Sequence, residues 1–308
     1  MLAAMATHEP HQGDHGHQGH HGHVHMGEAD WEEMAADAEL QGELLLGFLT
    51  DTATRVRALR SPDAPPVARI LDVGCGPGVG SCELARSFPT AAVVALDSSP
   101  GMLERAARRA SRLGLDGRVA TLLAEVPGGL DGIGEFDVIW ASMSLHHVGD
   151  QVKALRALGE HLGPGGLLAV AEMADPLRVL PADVEVGRPG LIERMEAAWR
   201  IWFASMRAGL PGSVASDDDL PTMLGAAGLE VLDSRIASKR FDPPLSEQGR
   251  QVAQQHLSRS RHQLEEHLDE DDLAALGVLA DPDDPRGVLH RPDVFLAAWR
   301  QIAIARRS

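Results

Sequence analysis

Residues 70–81 read ILDVGCGPGVGS. An apolar run ends in an acid, Asp72, and four glycines then fall on alternate positions, Gly74, Gly76, Gly78 and Gly80. Glycines at such spacing let backbone amides approach a ligand closely. The register decides which ligand. A dinucleotide loop needs G-x-G-x-x-G. Counting from Gly74 puts Val79 in the place of the third glycine, and counting from Gly76 puts Ser81 there. A Walker loop needs Gly-Lys-Ser/Thr at its end, and no lysine lies nearby. Asp72 would repel a pyrophosphate; it suits a ligand that brings a positive charge.

Outward from this loop, residues 68–172 alternate short apolar runs with helical stretches. The runs are ARILDV, AAVVALD, RVATLLAE, EFDVIWAS and GLLAVAE, and helix-forming segments such as SPGMLERAARRASRLG separate them. Runs that are short, apolar on both faces and interleaved with helices imply a parallel sheet with covering helices. The arginines of RAARRASRLG fall on what reads as a solvated helix face. Beyond 173, Leu191, Ile192, Met195, Trp199, Trp202, Phe203 and Met206 share one helical stripe. Residues 216–241 read as a capped helix, a glycine stop and a strand, and 245–280 as two polar, acid-rich helices. In the last segment Ile302 and Ile304 alternate with alanine, which predicts a final strand.

The acid–glycine pattern resembles motif I of the class I S-adenosylmethionine-dependent methyltransferases, and the resemblance covers residues 66 to about 175. It implies a doubly wound, mostly parallel α/β sheet of seven strands, Rossmann-like, with an N-terminal helix and helical insertions as a lid. The loop residues Asp72, Gly74, Cys75, Gly76, Pro77 and Gly78 then match the cofactor loop. Asp97, 23 residues beyond Gly74, matches the acid that holds the ribose hydroxyls, with Ser98 beside it. Met102 matches the apolar residue packed on adenine. Ala124, Glu125 and Val126 match the stretch facing the adenine amino group, with glutamate in place of the commoner aspartate. Ala141 and Ser142 match the residues beside the methionine moiety. The resemblance thus implies S-adenosylmethionine as cofactor, no metal, and a small-molecule methyl acceptor.

Candidate proton carriers are His146 and His147, just after the fourth strand, at the carboxyl edge where open α/β sheets bind ligands. Glu172 and Asp175, past strand five, face the same edge and could orient a polar acceptor. The stripe with Trp199, Trp202, Phe203 and Met206 reads either as a substrate-facing lid or as an ordinary core face. As a lid it implies an apolar or aromatic small molecule.

The rest of the sequence bounds these readings. Residues 1–27 hold eight of the fifteen histidines among Gly, Gln and Asp, a composition that predicts a disordered tail. This tail leaves a second reading open: a non-catalytic cofactor-binding or metal-binding protein that works through the tail. Residues 28–65 read as an N-terminal helical segment, 66–175 as the cofactor-binding core, and 176–308 as the remainder of the core with lid insertions. A net charge of −17 disfavours a nucleic-acid partner. Two cysteines, Cys75 and Cys82, allow no disulfide framework and no CxxC metal pair. No run is long enough to span a bilayer and no secretory leader is evident, which predicts a cytoplasmic protein. The oligomeric state, monomer or homodimer, stays open.

Overall fold

The structure is a computed structural model that describes residues 28–215 and 219–308. The His-rich stretch 1–27, with its predicted disorder and metal capture, lies outside the described residues. Helices α1 (Glu28–Leu44) and α2 (Gly47–Leu59) come first. The sequence reads as one continuous helix here, but the chain breaks at Leu45 and Leu46. There the Phe48 and Leu49 amides bond to the carbonyls three residues back instead of four. The break lets α2 turn and bury Phe48, Leu49 and Val56 in the core.

The cofactor-type unit then follows as β1 (Arg69–Val73), α3 (Val79–Ser87), β2 (Ala92–Asp97), α4 (Pro100–Arg112), β3 (Val119–Leu123) and β4 (Phe136–Ser142). A 3-10 turn (Leu145–His147) leads to α5 (Gln151–Glu160) and the long β5 (Leu162–Arg178). The remaining elements are α6 (Leu191–Ala208), α7 (Leu220–Ala226), β6 (Leu229–Phe241), α8 (Glu247–Gln263), α9 (Glu270–Ala280) and β7 (Leu296–Arg307). Side-chain caps set several helix starts. The Ser99 hydroxyl accepts from the Met102 amide, and the Asp150 carboxylate accepts from the Lys153 amide.

The strands form one seven-stranded sheet in the order β3-β2-β1-β4-β5-β7-β6. Six run in one direction, and β7 runs antiparallel between β5 and β6. This is the doubly wound, mostly parallel α/β sheet that the sequence implies. Two hydrophobic clusters cover its faces: one holds Ile70, Trp140, Ala171 and Ile302, the other Leu71, Ile139, Val170 and Ala303. Because β7 is internal, both its isoleucines and the intervening alanines are buried. The strand order reverses between β1 and β4, and ligands of open α/β sheets bind at such a switch point, beyond the carboxyl ends of the strands.

One expectation is corrected. The arginines of α4 are not all solvated. Arg109 is only 9% exposed; it ion-pairs with Glu39 at 2.5 Å and Glu43 at 2.7 Å, both on α1. Arg105 pairs with Glu39 and Glu32. Burial works to lower the Arg109 pKa, but Glu43 and Glu39 overcome it and hold the group above its ordinary value. The arginine face of α4 is therefore the seat of α1. Periodicity could not reveal this, because a charged stripe reads alike whether water or an opposing acidic helix covers it.

Candidate active site

Strand β1 ends by delivering Asp72 into the interior, 3% exposed. Its Oδ2 accepts from the Ser81 hydroxyl at 2.5 Å, across the first turn of α3. Burial pushes the Asp72 pKa up to about 7; the Ser81 hydrogen bond opposes this, and the nearby charge of Asp97 adds to it. The loop between β1 and α3 needs glycine where neighbours crowd it. Gly78 has a φ of +81°, and a Cβ there would sit 2.7 Å from the Ala106 Cα on α4. At Gly74, with φ +66°, a Cβ would strike the Ser144 Cβ at 2.4 Å. At Gly76 a Cβ would meet nothing within 4 Å, since that residue faces open space.

Asp97 closes the loop from the end of β2. Its Oδ2 accepts from the Gly76 amide at 2.9 Å and its Oδ1 from the Ser99 amide at 2.9 Å. Both oxygens are thereby fixed in orientation. Cys75 anchors the loop through its amide to the Leu96 carbonyl. Burial, reinforced by Asp72 and Asp97, raises its thiol pKa, so no thiolate nucleophile forms there.

These residues border a cleft of about 980 Å³, at the upper end of ligand-pocket sizes, roughly 300–1,000 Å³. The structure brings Asp72, Gly74, Cys75, Gly76, Pro77, Asp97, Ser98, Met102, Ala124, Glu125, Val126 and Ser142 to its wall. Two expected residues stand back from it. Gly78 is the N-cap of α3, and Ala141 is wholly buried in the sheet. Helices α1 and α2 complete the wall with Gln41, Gly42, Leu45, Phe48 and Leu49.

After β4 the chain makes a strained turn. Met143 has a φ of +55°, rare for a residue with a long side chain. Glu172, on β5 and 8% exposed, holds this turn. Its Oε1 accepts from the Ser144 amide at 3.0 Å and the Leu145 amide at 2.9 Å, and its Oε2 lies 2.6 Å from His146 Nδ1. Both Glu172 oxygens are thus committed to the turn.

The turn separates the two histidines. His147 borders the large cleft, whereas His146 borders a second cavity of about 870 Å³ on the other side of the turn. Their ring centroids are 4.2 Å apart. His147 opens to the cleft, yet the loss of water around its ring, followed by its neighbour His146, lowers its pKa to about 4. It is therefore neutral at pH 7. The α6 stripe also divides. Leu191, Ile192 and Met195 are core. Trp199 and Phe203 stack at 4.9 Å and line the second cavity with Asp175. Trp202 packs on the main core, and Met206 borders neither cavity.

Two cleft residues escaped sequence reasoning. The Ser144 hydroxyl is buried and without a hydrogen-bond partner, and Arg300 reaches the cleft from β7. Neither lies in a motif. An isolated arginine in a strand that ends the chain carries no positional signal until the strand order is known. Among the described residues no cluster of three or more His, Cys, Asp or Glu could hold a metal ion, and no helix is long and apolar enough to cross a membrane.

Comparison with known proteins agrees with this geometry. Residues 70–166 match the family described as methyltransferase domain. The trans-aconitate 2-methyltransferase of Methylobacterium nodulans is 34% identical over 176 residues, 56% of this chain and 61% of that protein. The 27-O-demethylrifamycin SV methyltransferase of Amycolatopsis mediterranei is 28% identical over 222 residues, 70% of this chain and 74% of that one. The chain spans less than two thirds of the first curated relatives it matches, 38% and 61% of their lengths. A solved O-methyltransferase family protein from Burkholderia thailandensis shares the fold, with a TM-score of 0.51 at 14% identity, covering 91% of this chain and 60% of that one. Over residues 70–166 the chain is therefore similar to methyltransferase domains. The cofactor that this similarity calls for is S-adenosylmethionine. The residues present fit it: two acids flank a glycine loop open at Gly76, and an unpartnered buried hydroxyl waits at Ser144.

Proposed function

We propose that this protein transfers a methyl group from S-adenosylmethionine to a small-molecule acceptor held in the large cleft. The observation that carries the reading is the shared wall. One cleft is lined both by the acid–glycine–acid arrangement and by Ser144, His147 and Arg300. When bound, S-adenosylmethionine supplies an electrophilic methyl group on a sulfonium.

The chain's own groups then have separable roles. Asp97 offers oriented carboxylate oxygens to vicinal hydroxyls, a strong and directional contact. Asp72 offers a buried carboxylate to a cationic amino group, and Ser144 a hydroxyl. Met102 and the 124–126 stretch supply the adenine wall. The turn at 143–146, fixed by Glu172, sets where the acceptor can approach, and helices α1 and α2 exclude water above it. Alignment of this kind can contribute on the order of 7–11 kcal/mol to a bimolecular step. Where the acceptor must lose a proton, His147 is the acceptor of that proton, since it is neutral at pH 7. His146, turned to the second cavity and held by Glu172, positions the turn.

The 27-O-demethylrifamycin SV methyltransferase is named for an oxygen position, which favours O-methylation of a metabolite as the acceptor chemistry. Two buried free cysteines and a soluble cofactor support a cytoplasmic location. Calorimetry tests the reading. S-adenosylhomocysteine should bind the full chain and NAD should not, and Asp97→Ala should abolish the first. Binding of NAD, or S-adenosylhomocysteine affinity unchanged in the Asp97 variant, would sink it.

A further inference from the structure

Arg300 and Arg109 are buried to nearly the same degree, 8% and 9% exposed, but they are treated oppositely. Arg109 is clamped between two glutamates. Arg300 makes no ion pair among the described residues. Of its five N–H donors, one on Nη1 reaches the Trp299 carbonyl at 3.0 Å. The Phe48 ring stands 5.5 Å from its guanidinium carbon. Burial lowers its pKa to about 10, with Glu172 opposing the shift, so it remains a cation at neutral pH. A charge taken out of water without a partner is costly to keep, and this one borders the cleft. Its unused donors point to a partner that arrives with a ligand.

The position says which ligand. Arg300 pairs across the sheet with Met173, two residues beyond the level where Ser142 of β4 meets Ala171 of β5. It shares its sheet face with Ala298, Ile302 and Ile304, under α2. The acid whose field reaches it is Glu172, the residue that holds the 143–146 turn. Asp72, by contrast, is influenced by Asp97. Asp72 pairs with Trp140, Trp140 with Ala169 and Ala169 with Ile304, so Arg300 stands three strands across the sheet from Asp72 and four residues further along β7. Glu172 cannot turn to it, because both of its oxygens hold the turn.

We propose that Arg300 binds a carboxylate of the methyl acceptor, a group set apart from the atom that is methylated. The inference rests on the methyl-transfer reading above and deepens it by naming the acceptor class. The planar guanidinium presents a fork that matches a carboxylate with two parallel hydrogen bonds. Glu172 already offsets part of the local positive charge, so a single negative charge balances the site and a phosphate dianion over-fills it. Held by this handle, the acceptor presents its nucleophilic atom towards Ser144 and His147.

The test is calorimetric, on the full chain saturated with S-adenosylhomocysteine. The probes are trans-aconitate, benzoate, neutral benzamide and inorganic phosphate. At least one carboxylate should bind the wild type, and benzamide should not. Arg300→Gln should weaken that carboxylate ~10-fold or more, about 1.4 kcal/mol, and Arg300→Lys should recover part of the loss. The melting temperature of R300Q should stay at or above the wild-type value, since the change removes an unpaired buried charge, and its S-adenosylhomocysteine affinity should be retained. The assignment falls if neither carboxylate binds the wild type, if R300Q binds them equally well, or if benzamide matches benzoate. It falls also if phosphate binds more tightly than both carboxylates, or if R300Q loses fold and cofactor together. If S-adenosylhomocysteine itself fails to bind the wild type, the methyl-transfer reading fails. The carboxylate titrations are then run without it, so the two failures are read separately.

Discussion

Replacing Asp72 by asparagine should make the free protein more stable while destroying the site. Asp72 is 3% exposed and its pKa stands at about 7 in the fold against an ordinary 3.8, chiefly through burial. An acid whose pKa is raised by folding favours the folded state only while it is protonated. Its effect on stability is nil below about pH 4 and grows unfavourable as pH rises through 7. At pH 8 the penalty is roughly 4 kcal/mol. At pH 5 the folded carboxyl is still protonated, and the penalty is smaller by about 3 kcal/mol. The asparagine amide oxygen can still accept from Ser81, and any misfit of its NH₂ is the same at every pH. The stability gap between Asp72→Asn and wild type should therefore widen by about 3 kcal/mol from pH 5 to pH 8, measured by urea unfolding of both proteins. Other titrating groups are common to both and cancel. S-adenosylhomocysteine should stabilise the wild type more at pH 8 than at pH 6, because an ammonium group beside Asp72 favours the ionised form; the variant should show no such rise. A gap that is constant between pH 5 and pH 8 would refute the claim that burial of this carboxyl dominates its environment.

Three further outcomes follow from the geometry. Gly78→Ala forces a Cβ to within 2.7 Å of Ala106 at a left-handed φ; it should cost about 1–3 kcal/mol in urea unfolding and weaken S-adenosylhomocysteine. Glu39→Gln removes a shared acid from Arg105, Arg109 and Arg112. Hydrogen exchange over residues 28–44 should accelerate, and unchanged protection would show that α1 is held by packing alone. His147, with a pKa of about 4, is neutral throughout pH 6–8. His147→Gln should thus lower turnover without altering the shape of the pH–rate profile in that range; a limb near pH 6.5 that vanishes in the variant would contradict the placement of His147.

Some of this protein could be read before it was folded. A parallel sheet with covering helices follows from the spacing of apolar runs and helices, because strand and helix periods are local properties; its seven strands came with the family resemblance. The acid–glycine loop proposed to seat the cofactor also follows from local pattern. Asp72, the alternating glycines and Asp97 lie within a single β-α-β unit, so their separation in sequence fixes their separation in space. Met102 and the 124–126 stretch were legible for the same reason. The paired histidines were visible as a pair, but their division was not: which ring faces which cavity depends on the turn at Met143 and on Glu172, 26 residues beyond His146.

What only the tertiary structure decided are the pairings between distant elements. The α4 arginines read as a solvated face and proved to be the dock for α1, about 70 residues away in sequence. The stripe on α6 read as a lid or a core; Leu191, Ile192 and Met195 pack in the core while Trp199 and Phe203 line the second cavity, since a helix presents successive turns to different neighbours. Ser144 and Arg300 carried no signal at all. A buried hydroxyl without a partner and a buried cation without a counter-charge are defined by what surrounds them, and the surroundings come from β1, β5, β7 and α2 at once. The acid–glycine loop and Asp97 were legible from the residues alone, because they lie in one contiguous unit. The surroundings of Ser144 and Arg300 came only with the fold, because they are assembled from segments that meet when the sheet closes over β7.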